Sequence, residues 1–154
     1  MATSSFDTEI QKLYSEVVEV AYEYVNYNEK EVDSIYIYAS MELGTSFFNV
    51  FYEINNRIVK VNKVNDISTM QYNISEQRTS ALLEFGNDLL KRMRELFIND
   101  EREVPSRLKI SFHPKTKVFE NNISYEPYLT GDDMHTNMSG FNNWFDEMKN
   151  ENVI

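Results

Sequence analysis

The order in which the hydrophobic period changes along this chain is what most limits its architecture. From Phe6 to about Tyr24 apolar residues recur at three- and four-residue steps, with Glu9, Glu16, Glu19 and Glu23 on the opposite side, the pattern of an amphipathic helix. Three runs of strand composition follow: Ile35 to Ala39, Phe47 to Ile54 and Arg57 to Val61, rich in β-branched and aromatic residues. Helical spacing returns after Ser75 and lasts to about Ile98. Arg107 to Phe112 then alternates apolar and polar residues, Val118 to about Tyr125 forms another strand, and Ser139 is placed to cap a last helix. The order is α-β-β-β-α-β-β-α. Runs of strands separated by helices favour an α+β fold, with an antiparallel sheet of about five strands and the helices covering one face. The 154 residues fit a single domain spanning 1–154.

Local chemistry sharpens parts of this outline. Asn55-Asn56 tolerates positive φ, so the second and third strands should form a tight hairpin. Leu82, Phe85, Leu89, Met93 and Leu96 form one stripe of the second helix, expected to be core. Gly86 lies inside that helix, where it costs about 1 kcal/mol relative to alanine and suits a close approach to the sheet. Lys91, Arg92 and Arg94 fall toward the helix end, as its dipole favours. The strand Ile35 to Ala39 is compatible with a central position or with an edge that pairs two copies into a homodimer.

Composition narrows the chemistry. With 42% hydrophobic and 14% aromatic residues the chain should fold, and without cysteine it has neither disulfides nor thiolate chemistry. The net charge of −10 is uneven. Residues 1–33 hold eight carboxylates against two lysines, and residues 120–154 hold seven against one, so each end carries −6. Acidic surfaces repel nucleic acid and membrane phosphates and attract cationic proteins, so a basic protein is the expected partner. With no signal sequence or spanning segment, a cytoplasmic location is expected.

Catalytic signatures are scarce. Gly44, Gly86, Gly131 and Gly140 form no phosphate-binding loop. His113 reads as a turn histidine. Asp132, Asp133 and His135 lie within four residues of one another and form the one candidate metal cluster, the basis for an alternative reading as a small-ligand- or metal-dependent enzyme. The leading reading has no catalytic residues, cofactor or metal. Its candidate surface is C-terminal, where the aromatics Tyr125, Tyr128 and Trp144 interleave with Glu126, Asp132, Asp133, Asp146 and Glu147. Aromatics anchor binding hot spots and charge steers encounter. Phe141, Trp144, Phe145 and Met148 share one side of the last helix, which suits docking with the acids outward. The acids of the first helix form a second candidate surface.

Several blocks resemble the YezG-like immunity proteins, bacterial antitoxins of small polymorphic-toxin systems. These are Ser34 to Glu42, Phe48 to Asn55, Leu82 to Gly86, Pro105 to Ile110 and Ile123 to Glu126. The resemblance implies a cytoplasmic protein that binds and neutralises the C-terminal toxin domain of a secreted LXG-type effector, often a nuclease. It supplies no catalytic residues. A nuclease grips phosphates with Lys and Arg, so an acidic inhibitor matches it physically.

Overall fold

The computed structural model describes residues 5–130 and 135–151. Its elements are α1 (Ser5–Tyr24), β1 (Val32–Ser40), β2 (Phe47–Ile54), β3 (Arg57–Lys60), α2 (Glu76–Asn99), β4 (Arg107–His113), β5 (Val118–Ser124) and α3 (Asn137–Glu151), in the expected order. The fold is α+β, with five antiparallel strands arranged β3-β2-β1-β4-β5. β1 is central, bonded to β2 on one side and β4 on the other, so it has no free edge for a second copy. The β2–β3 hairpin turns on Asn55 and Asn56 at φ 50° and 67°, with Ile54 opposite Arg57. Both torsions are the left-handed values that a two-residue hairpin turn requires.

The helices do not share a face. Ile35, Ile37 and Ala39 of β1 join the core beneath α1 and α2, while Tyr36 and Tyr38, pointing the other way, join Phe51, Phe141, Trp144 and Phe145 beneath α3. Side chains alternate across a strand, so a run that is apolar at every position needs cover on both faces. The expectation of one covered face is therefore corrected: the sheet lies between two helices and a third.

The α2 stripe also needs correction. Leu82, Leu89 and Met93 are buried, but Phe85 is 55% exposed, and the inward positions are completed by Gly86, Leu90 and Phe97. Ser75 caps the helix, accepting from the Arg78 amide at 3.2 Å. No basic residue occupies the last turn, where the dipole acts. Arg94 instead donates to the Thr45 carbonyl and, at 2.8 Å, to Ser46 Oγ, holding the β1–β2 connection. Thr136 replaces Ser139 as the cap of α3. The Ser139 amide donates to Thr136 Oγ1 and the Thr136 amide to Ser139 Oγ, both at 2.9 Å, a reciprocal capping box.

Glu31 ties the segment after β3 to the sheet. Its carboxylate, 4% exposed, accepts from the Thr69 amide at 3.0 Å, the Thr69 hydroxyl at 2.8 Å and the Tyr72 hydroxyl at 2.9 Å. Burial pushes its pKa up, but the bonds from Thr69, Tyr72 and the Met70 backbone outweigh it and hold the group below its ordinary value. The same contact, with burial the larger cause, raises the Tyr72 phenol to about 12. A depressed carboxylate stabilises the fold above its unfolded pKa of about 4.3, and that contribution is lost as pH falls through the folded value. Glu31→Gln should therefore cost about 2 kcal/mol at neutral pH, with the difference from wild type shrinking below about pH 4. Urea titrations across that range check it: a deficit that stays constant into acid would contradict the assignment.

Candidate functional site

The C-terminal surface begins where β5 ends. Tyr125 and Glu126 are exposed. Beyond them the chain is held by Glu42, a 9%-exposed carboxylate that accepts from the Tyr128 amide at 2.9 Å and the Leu129 amide at 3.0 Å. Tyr128 is thereby set against α3. Its ring stacks on His135 at 4.2 Å and lies 3.9 Å from the Arg107 guanidinium, and its hydroxyl meets Asn143 Nδ2 at 3.3 Å. Gly140 permits this packing, since a Cβ there would fall 2.1 Å from the Tyr38 hydroxyl and 3.0 Å from the Tyr128 ring.

On α3 the aromatics turn inward and the acids outward. Trp144, 8% exposed, packs on Tyr36 at 5.6 Å and Phe51 at 5.0 Å, so it docks the helix and is not a free anchor. One side of it borders a groove of about 330 Å³ shared with Lys109, Ser111, Glu120, Asn122 and Met148. Asp146 and Glu147 are exposed. Asp132 and Asp133 lie outside the described residues. Tyr125, Glu126 and Tyr128 thus lead along one strand end into α3, with Asp146 and Glu147 on its outer side.

β4 contributes cations that reading the C-terminal segment alone misses. Arg107 lies over Tyr128, and Lys109 Nζ is 5.7 Å from the Trp144 ring. The alternation of β4 puts Leu108 and Ile110 beneath α1 and α2, so Arg107 and Lys109 must point toward α3. Burial, then the neighbouring Arg107, lowers the Lys109 pKa, while Glu147 opposes both. The surface is therefore amphoteric, with acids around a basic strip.

A second surface lies between α1 and α2. A groove of about 450 Å³ is lined by Glu16, Glu19, Glu23, Tyr27 and Phe85, among others. Arg78 binds Glu23 twice, through its carboxylate and its carbonyl, both at 3.0 Å, and Arg92 stands 3.7 Å from Glu16. Glu9 lies away from this groove, lining a smaller one with Lys12 and Glu95. Phe85 and Tyr27 are the groove's exposed aromatics, which the helical stripe pattern did not reveal.

His113 closes β4 and is no simple turn residue: its Nδ1 is 2.8 Å from the Ser34 hydroxyl, which donates to Glu53 Oε1 at 3.0 Å. Among the described residues no group of three His, Cys, Asp or Glu could hold a metal ion. Of the candidate metal cluster, only His135 is described, stacked on Tyr128. No described helix is long and apolar enough to cross a membrane. No curated protein matches the chain significantly. The family model of the YezG-like immunity proteins matches residues 10–150, nearly the whole of the folded domain just described, and the chain belongs to that family.

Proposed function

We propose that this protein is a non-enzymatic cytoplasmic antitoxin of a polymorphic toxin system, and that it neutralises a basic nuclease domain by covering it with an acidic and aromatic surface. The observation that carries the immunity role is the family match over residues 10–150. The nuclease reading is supported by charge: a −10 protein with acid concentrated at both ends suits a partner whose own substrate is polyanionic. Inhibition needs no chemistry, only a surface that competes with phosphate for the same cations.

In this reading the C-terminal surface makes the contact, through Tyr125, Glu126, Tyr128, Asp132, Asp133, Asp146 and Glu147, with Trp144 fixing α3 beneath it. Reversing Asp132 and Asp133 to lysine should slow association with the toxin domain about tenfold at low salt, an effect that fades as salt rises. Stopped-flow mixing with the purified domain measures it. The α1/α2 groove is the second reading, favoured by the exposed Phe85 beside Glu16, Glu19 and Glu23. If lysines at Glu9, Glu16, Glu19 and Glu23 abolish protection while the Asp132/Asp133 pair has no effect on association, the contact lies on the helices.

A further inference from the structure

β5 is an undefended sheet edge. It pairs with β4 through seven successive residues, and no described residue pairs with its other side. Natural sheets blunt such edges with lysine, proline, bulges or a covering element. Between Val118 and Ser124 the one charged residue is Glu120, no proline occurs, and the register with β4 runs without a shift. Phe119 and Ile123 are 40% and 39% exposed on the side facing α1.

The direction of the unused hydrogen bonds follows from the ladder. The Ser124 carbonyl accepts from the Ser106 amide at 2.8 Å, so Ser124 turns its backbone toward β4. In antiparallel pairing that direction alternates, which leaves the amides and carbonyls of Phe119, Asn121 and Ile123 pointing away from the sheet.

We infer that two copies of this chain pair through β5, antiparallel about a two-fold axis at Asn121, to form one continuous sheet. The sequence of the strand is self-complementary in that register. Phe119 meets Ile123 of the second copy, burying the two exposed apolar residues against each other. On the opposite face Glu120 meets Asn122, so the acid of one copy never faces the acid of the other. Asn122 is itself paired with Lys109 across β4, which places a cation one strand behind the incoming Glu120. Each outward amide finds an outward carbonyl. The assembly is independent of the toxin reading and leaves the α1/α2 groove as a separate surface, whereas on the other face Glu120 and Asn122 also line the groove beside Trp144, so the seam adjoins the C-terminal surface.

Sedimentation velocity of the full chain over a dilution series tests the pairing. Wild type should show a monomer–dimer equilibrium. Asn122→Lys sets a cation opposite Glu120 twice in the dimer and should tighten dissociation about tenfold. Adding Glu120→Lys to it sets cation against cation and should weaken the dimer below wild type. Both positions are exposed, and circular dichroism confirms that the variants fold. Amide exchange supplies a second readout: the Phe119, Asn121 and Ile123 amides should gain protection as concentration rises. A wild type that stays monomeric at every concentration overturns the inference, as do single and double variants that shift in the same direction. Protection of those amides only when a toxin domain is added would assign the edge to a partner's strand instead.

Discussion

Phe51→Ala is expected to lower stability by about 4 kcal/mol and to loosen α3 before the rest of the domain unfolds. Phe51 is fully buried and is the hub of the face beneath α3, with ring centroids 4.7 Å from Tyr36, 5.0 Å from Trp144, 5.4 Å from Phe145 and 5.8 Å from Phe141. The other face has a large core shared by two helices, whereas α3 rests on this aromatic group and a few polar ties such as Lys60 Nζ to Asn142 Oδ1 at 2.8 Å. The chain contains one tryptophan, and it lies within the cluster, so Trp144 fluorescence reports α3 while far-UV circular dichroism reports the whole fold. In the variant the two unfolding curves should separate, fluorescence moving at lower urea. Coincident curves with a loss under about 1 kcal/mol would show that α3 is held by something else. Because α3 also carries Asp146 and Glu147, the same substitution should weaken toxin neutralisation if the C-terminal surface makes the contact.

Gly86→Ala should cost roughly 3 kcal/mol even though alanine is the better helix former by about 1 kcal/mol. A Cβ at this position would stand 2.2 Å from the ring of Phe48, a buried β2 residue, so the helix or the ring must move. Packing therefore opposes propensity here, and the magnitudes say packing wins. The decisive comparison is the same change made in a Phe48→Ala background, where the Cγ, Cδ1 and Cε1 atoms that the new Cβ would meet are all absent. Gly86→Ala should there be close to neutral or slightly stabilising. Stabilisation by Gly86→Ala in the wild-type background would mean that α2 rides higher on the sheet than the structure places it. Chemical denaturation of the four proteins gives the coupling directly.

Much of this fold can be read from local patterns. Strand and helix periods are properties of short segments, so the eight elements and their order were legible, as were the Asn55-Asn56 turn, the Ser75 cap and the purpose of Gly86. The family too is carried by such segments. The departures from those patterns have separate causes. A three-to-four spacing records which side of a helix is apolar, not how wide a stripe its neighbours cover, so Phe85 looked like core although α1 and the sheet leave it 55% exposed. A serine near a helix start looked like a cap until Thr136 was seen to close the box with it.

The candidate surface was less legible than the fold. Its acids could be counted along the C-terminal segment, but the Arg107 and Lys109 that stand among its aromatics come from a strand distant in sequence. By itself the sequence determined the elements, their order, the separation of charge toward the two ends and the immunity family. The tertiary structure alone decided that β1 is central and β5 is the edge, that α3 crosses to the opposite face, that Trp144 is spent on docking, and that basic side chains enter an acidic surface. Secondary structure is set by interactions a few residues apart, which a sequence displays. Strand order, face and exposure are set by which distant segments exclude water from one another, and only the folded chain brings those segments together.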